Sequence, residues 1–461
     1  METLQRTANR GSISTGGYDI DNSLKMEADN SESMTRTPSS SGNRKTWTLS
    51  FWFKRTELGA AVRLFEAWDG STGTSALFTD ADLFILDLTA GGNYFTSSAV
   101  FRDTSAWYHF VIRVDTTQGT ASERARVYVN GSELAGSWNS NIGQNTDLTW
   151  NQNVVHYLGV FHLSGNFANG YYAEVINVDG TSLAPTAFGE FDADSGIWKP
   201  KAASPTYGTN GFYLNFDNSG SLGADSSGNG HTWTLNNISS ADQATDTPTN
   251  NFCTLNPLMA NAGPANYLPI TEGGIKAVNT AAAYKIANST FGVTSGKWYW
   301  EVKATDVNGV TAIGVTMPHY WDTDYTLGGC IYYGQTGQRY NNSSAGAFGA
   351  TYTDGDIISF ALDMDATPPT MEVYKNNVSQ GNLMAGLSIN GAGGAFLPVK
   401  EDGYFPKIVG YNANTFECNF GGYTSFSISS AATDENGYGT FEYAPPTGYY
   451  ALCTKNLAEY G

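Results

Sequence analysis

The sequence predicts an all-β protein, two antiparallel jelly-roll-like β-sandwiches joined by a turn-rich connector. Apolar residues alternate at period two in one segment after another, the pattern of strands with one face in a core. The stretches between them are rich in Gly, Asn, Ser and Thr, with 52 Gly against 15 Pro, which is the chemistry of tight turns. A length of 461 residues gives room for two or three domains at roughly 100–200 residues each. An apolar fraction of 41% with 13% aromatics excludes a disordered chain.

Residues 1–17 are polar, carry Arg6 and Arg10, and end in Gly16-Gly17 before any apolar alternation begins. They read as an N-terminal attachment arm that orders when docked, with simple fraying as the alternative. Residues 18–190 hold the first sandwich. In Trp47–Phe53 one face carries Trp47, Leu49, Phe51 and Phe53, and the other Thr48, Ser50 and Trp52. From Trp107 to Val114, the residues Tyr108, Phe110, Ile112 and Val114 share a face. Ala125 to Leu134 reads as strand, turn and return, because Asn130-Gly131 supplies the positive φ angles of a tight hairpin. Val178-Asp179-Gly180 predicts a second hairpin. Residues 191–255 are looser and turn-rich, interrupted by one strand over Gly211–Phe216, and form a connector that partly packs on the first sandwich. Residues 256–461 hold the second sandwich, with faces formed by Trp298, Trp300 and Val302, by Ile358, Phe360 and Leu362, and by Phe416, Cys418 and Phe420.

Charge narrows the function classes. The chain holds 24 Lys and Arg against 43 Asp and Glu, a net charge of −19. Of this, residues 1–126 contribute −2 and residues 127–461 contribute −17. An acidic body without a basic stripe repels phosphate backbones, so no nucleic-acid partner is expected. No stretch approaches the roughly 18–20 apolar residues that cross a bilayer, and the first ten residues lack the apolar core of a secretory signal, so a soluble chain without membrane insertion is expected. Cys253, Cys330, Cys418 and Cys453 show no CxxC pairing and are expected as buried thiols.

Four segments, NSLKMEADNSESMTRTPSSSGNRKTWTLSFWFKR (22–55), AWYHFVIRVDT (106–116), RARVYVNGSEL (124–134) and NGYYAEVINVDG (169–180), resemble laminin-G/concanavalin-like modules of bacteriophage tail and capsid-surface proteins. The likeness covers about residues 18–185. SGKWYWEVKA (295–304), AIGVT (312–316), YTDGDIISFALDMD (352–365), MEVYKNN (371–377) and FPKIVGYNANTFECNFG (405–421) resemble, in order, a SPRY module. The connector over 196–237 is similar to segments that link these modules in phage proteins. The resemblance implies a non-enzymatic structural protein on the virion exterior, made in the host cytoplasm. It would be a capsid decoration, a knob-like component or part of a short fibre, attached to other virion proteins through residues 1–17. A homo-oligomer and a host cell-surface glycan are the further partners it implies. A tail-fibre receptor-binding adhesin and a glycan-degrading enzyme are the alternatives.

Residue chemistry bears on these alternatives. The E-x-D-x-x-E string of laminarinase-type enzymes, which share the concanavalin-like fold, occurs once, from Glu27 through Asp29 to Glu32, but in a run of Asp, Asn and Ser that reads as a turn and not as the strand such carboxylates need. The acidic strand Asp82–Asp87 carries carboxylates only at its ends, where solvation accounts for them. No G-x-S-x-G, HExxH or GxxxxGK[ST] string occurs, and the five His show no metal-ligand spacing. No catalytic residue and no cofactor are therefore expected. Sugar binding needs aromatic faces beside Asn and Asp in loops. The candidates are Trp68-Asp69, Trp138-Asn139, Trp150-Asn151 and Tyr320-Trp321-Asp322, whereas Trp47, Trp107, Trp298 and Trp300 lie in strands and read as core. Calcium at a sandwich rim is a further option, through Asp192 and Asp194 or Asp225 and Asn229, with turn chemistry as the competing account.

Overall fold

The strand anticipated at Trp47–Phe53 runs from Thr46 to Arg55 and is central to its sheet, paired with Trp107–Asp115 on one side and Gly170–Asp179 on the other. The computed structural model describes residues 17–162, 165–258, 267–317, 329–341, 344–387 and 402–461. These residues divide into two compact units, separated in the sequence between Thr249 and Asn250.

The first unit is a sandwich of two antiparallel sheets. One runs in the order Ser132–Glu133, Ala125–Val129, Trp107–Asp115, Thr46–Arg55, Gly170–Asp179, Ser23–Met26 and Gln243–Ala244. The other runs Gly136–Trp138, Tyr94–Val100, Leu83–Asp87, Gly73–Phe78, Val62–Trp68, Val155–Leu158, Ser33–Arg36 and Thr234–Asn236. Trp47, Leu49, Phe51, Phe53, Phe110, Ile112 and Val114 all enter the core between them. A gap of ≈ 10 Å³ between Leu49, Phe65, Trp150 and Trp233 is no larger than a water needs, so this core admits no ligand.

The opposite face of Thr46–Arg55 is also buried, which alternation alone does not reveal. Residues 181–207 lie across it. Thr48 donates through Oγ1 to the Thr181 carbonyl (2.8 Å) and accepts from the Leu183 N–H (2.7 Å). Trp52 stacks on His109 with ring centroids 4.6 Å apart. The Trp198 indole donates to His109 Nδ1 (2.9 Å), so Nε2 carries the proton and donates to Ser50 Oγ (2.8 Å). Burial lowers the His109 pKa to about 3, keeping the ring neutral.

Asn130 and Gly131 have φ angles of 47° and 78°, the two positive values of a type I′ hairpin. The second expected hairpin is a correction. At Gly180 the backbone N–H donates to the Thr46 carbonyl and the chain leaves its sheet to cover the outer face, so Val178-Asp179-Gly180 turns no strand back on itself. The loose connector gains definite roles. Phe212–Leu214 pairs with Gly170–Asp179, Thr234–Asn236 with Ser33–Arg36, and Gln243–Ala244 with Ser23–Met26. Asp246 then fixes the last turn: Lys54 Nζ lies 2.6 Å from its Oδ2 and the Trp107 indole donates to its Oδ1 (3.0 Å).

The second unit is likewise two antiparallel-stranded sheets, with the short Tyr450–Ala451 added parallel to Lys297–Val307. Trp298, Trp300, Val302, Ile358, Phe360 and Leu362 share one core with Phe416, Cys418 and Phe420. All four cysteines are buried free thiols.

Candidate functional site

On the outer face of the second sheet of the first unit, the strand register lines up a polar row. Tyr157 pairs with Glu66, Glu66 with Ser75, and Ser75 with Asp87. Side chains on one face of a sheet repeat every second residue, so Glu66 and Trp68 share this face. A register shift between Arg63 and Phe65 offsets the alternation and lets Arg63 join them.

Arg63, Glu66, Trp68, Ser75 and Asp87 line a cleft of ≈ 330 Å³ with Gly73, Ala90, Gly91 and Phe161. One wall is aromatic: it is the Trp68 ring, which is held by stacking on His162 with centroids 4.7 Å apart and planes 7° from parallel. Gly73 makes room for that ring, since a Cβ there would fall 2.7 Å from the Trp68 six-membered ring. Opposite polar groups form the floor. Arg63 Nη1 donates to Ser75 Oγ (2.6 Å), and its guanidinium carbon lies 4.4 Å from the centre of the Phe161 ring. Among the described residues its buried Nε has no hydrogen-bond partner. Burial lowers the Arg63 pKa, opposed by the charges of Glu66 and Asp87. Glu66, 2% exposed, accepts through Oε2 from the His162 N–H (2.8 Å), with His162 Nδ1 3.3 Å away. Asp87 accepts from the N–H groups of Thr89 (3.1 Å) and Gly91 (2.7 Å), which fixes the loop at the cleft rim.

An aromatic wall beside fixed carboxylates, a hydroxyl and a guanidinium can hold a ring that is apolar on one face and rich in hydroxyls at its edge. Trp68 is the sequence candidate that lines this cleft. Asp69 does not; it closes an exposed turn by accepting from Ser71 and Thr72, whose backbone bonds lower its pKa.

The other candidates lie away from this cleft. Trp138 is half-buried against Phe95, with centroids 5.6 Å apart. Asn139 spends its amide on Tyr94, Ser140 and Gly92. Trp150 and Asn151 are each 1% exposed: Trp150 donates to Asn177 Oδ1 inside the sandwich, and Asn151 donates to the Asn43 carbonyl and Asp179. Neither side chain can meet a ligand. Asp192 accepts from the backbone of Asp194 and Ser195, from Ser195 Oγ and from Lys199, and Asp225 from Tyr213, Ser227 and His231, so their oxygens serve turns. Asn229 donates its amide to the Gly208 and Gly211 carbonyls. Among the described residues, no group of three or more His, Cys, Asp or Glu is placed to hold a metal ion. Arg6, Arg10, Tyr320, Trp321 and Asp322 lie outside the described residues.

Sequence reasoning missed Arg63, Glu66, Ser75, Asp87, Phe161 and His162. Glu66 is two residues from Trp68 and could have been placed on its face. Arg63 lies on the same strand but joins that face only through the register shift, and Ser75, Asp87, Phe161 and His162 arrive from neighbouring strands or loops. The solvation account of Asp82–Asp87 is also corrected. Asp87 lines the cleft, and Asp82 is buried, bonded to Arg55 (3.0 Å), Arg102 (2.8 Å) and the Gly59 N–H (2.9 Å).

Comparison with known families agrees with this architecture. Residues 29–180 match the Laminin_G_3 family of the concanavalin A-like lectin/glucanase superfamily, and residues 297–423 match the SPRY domain family. The chain therefore contains a concanavalin-like domain followed by a SPRY domain. Among solved structures, it is similar to the SPRY domain of human HERC1, at 21% identity over 32% of this chain and 89% of that one, with a TM-score of 0.27. It is also similar to a SAP-like pentraxin from Limulus polyphemus, at 16% identity over 36% of this chain and 80% of that one, with a TM-score of 0.28. No curated protein matches the chain.

Proposed function

We propose that the protein is a non-enzymatic carbohydrate-binding structural protein of a bacteriophage virion exterior, which holds a host surface glycan in the cleft at Trp68. The observation that carries the binding reading is the juxtaposition of Trp68, held by its stack on His162, with Arg63, Glu66, Ser75 and Asp87 in one cleft. Two lectin-type folds in one chain support it. Glu66 and Asp87 are engaged as acceptors of backbone N–H groups, an arrangement for holding hydroxyls rather than for delivering protons. The virion reading is supported by the order of the two modules and their connector. A homo-oligomer attached through residues 1–17 completes the proposal.

Binding of the full chain to a panel of bacterial surface polysaccharides tests the cleft. Saturable retention is expected, reduced at least about tenfold by Trp68→Ala or Asp87→Asn, without release of reducing ends. Retention unchanged by both substitutions would move the site elsewhere. Comparing virion association of the intact chain with one lacking residues 1–17 tests the arm, and equal association would remove it from the proposal. A receptor-binding fibre tip would show the same glycan dependence with antibody labelling at the tail instead of the head.

A further inference from the structure

The first unit has no cysteine, because the first in the chain is Cys253, so no disulfide can join its ends. Its first strand, Ser23–Met26, and its last, Gln243–Ala244, are antiparallel neighbours, with Ser23 opposite Ala244 and Leu24 opposite Gln243. Continuing that register by one residue brings Lys25 opposite Asp242. The Lys25 ammonium lies 2.9 Å from Asp242 Oδ1 and 3.0 and 3.1 Å from the two oxygens of Glu32. The three side chains are 1%, 9% and 3% exposed.

Each member is held in place. The other oxygen of Asp242 accepts from the N–H (2.8 Å) and Oγ (3.2 Å) of Ser239, so its carboxyl cannot rotate away from Lys25. Glu32 accepts from the Glu27 N–H (2.8 Å) and the Asn30 amide (3.0 Å). One ammonium between two carboxylates leaves a surplus negative charge with almost no water, which a proton shared among the three relieves. Burial, and then the charge of Asp242, push the Glu32 carboxyl up against the pull of Lys25.

We propose that Lys25 and Asp242 condense in the folded chain to an intramolecular isopeptide bond, with Glu32 carrying the protons. Glu32 takes a proton from the Lys25 ammonium and passes it to the Asp242 carboxyl. The freed amine attacks Cγ of Asp242, the new C–N bond forms, and a second proton moves through Glu32 to the departing hydroxyl. Ammonium and carboxylate become one amide and one water, with no oxidant or other reactant. Proximity in a fixed, dry site supplies the rate that free amines and carboxylates lack in water. At Lys54 and Asp246, by contrast, the second carboxylate oxygen accepts from the Trp107 indole, which supplies no transferable proton. The bond at Lys25 would clasp the opening strand of the unit to its closing strand, the place where a particle-borne protein would otherwise fray under load.

Mass spectrometry of the full chain tests this directly. The wild-type protein is expected one water lighter than its sequence, and its digest should yield a branched peptide joining residues 25 and 242. Lys25→Arg keeps the charge but cannot condense there, and Glu32→Gln keeps the shape but cannot carry the proton. Both are expected at full mass with an unchanged circular dichroism spectrum. Full mass in the wild type, a water lost within one linear peptide, or a branch in Glu32→Gln would each overturn the proposal.

Discussion

In the first unit Lys25, Lys54 and Arg55 are each buried against carboxylates of Glu32, Asp242, Asp246 or Asp82. In the second, the buried Glu301 is held by the N–H groups of Glu442 and Tyr443 (2.9 and 2.8 Å), the Tyr299 hydroxyl and the Asn419 amide, while Lys297–Asp363 and Lys375–Asp356 stay near the surface. Both units build a sandwich around aromatic and aliphatic strand faces, so the apolar core does not distinguish them. Among these pairs, the difference lies in how distant segments are recruited. A buried ion pair between residues far apart in sequence, such as Lys54 and Asp246, tolerates no partner but the right one, because either charge alone is costly away from water. Backbone donors on the buried Glu301 carboxylate do the same task for the segment at Glu442 and Tyr443.

The sharpest way to break this contrast is Asp246→Ala, which strands the Lys54 ammonium and the Trp107 indole. A loss of about 3–5 kcal/mol in urea unfolding is expected. A loss below about 1 kcal/mol would make the pair incidental. Next comes Glu174, on the outer face of the first sheet, where Tyr18 and Tyr213 donate to its two oxygens (2.9 and 2.7 Å). Burial raises its pKa from 4.5 to about 7. A raised carboxyl contributes stability that is fully present below pH 4.5 and lost as pH rises through about 7. The expected span is about 3 kcal/mol, read as the changing difference between the urea midpoints of the wild type and Glu174→Gln. A constant difference across that window would remove Glu174 as a source of pH dependence in the first unit.

In the second unit, Cys418→Ser places a hydroxyl in an apolar core and is expected to cost about 1–3 kcal/mol by the same measurement. Wild-type stability would show that this core takes up polar groups as readily as the first unit does. The smallest effect is expected for Lys297→Met, whose partner Asp363 is 2.8 Å away but whose own side chain is 41% exposed. A change of at most about 1 kcal/mol should result, shrinking further in high salt. A larger one would place a strong ion pair in the second unit and erase the contrast.

Much of the fold was legible because a strand with one dry face writes that face into every second residue. Trp47 to Phe53, Tyr108 to Val114, and Trp298 to Val302 enter the cores as their alternation implies. The second dry face of Thr46–Arg55 was not legible. Thr48, Ser50 and Trp52 look like solvent-facing residues until His109, Trp198 and Leu183 are brought over them. Loop-like tryptophans misled for the same reason: Trp150 follows turn residues in the chain, yet three-dimensional packing turns it into the sandwich.

What the sequence by itself determined is the class: two antiparallel sandwiches, their order, the Asn130-Gly131 hairpin and the burial of the cysteines. Those depend on periodicity and on local backbone preference, which neighbouring residues carry with them. The tertiary structure alone decided the cleft and the buried charges. Arg63, Ser75 and Asp87 belong to three different strands, and Lys25 and Asp242 lie at opposite ends of a unit. Their meeting depends on strand register and on which segment closes the sheet, and no local pattern specifies either, because register is settled by the whole set of faces that must be buried together.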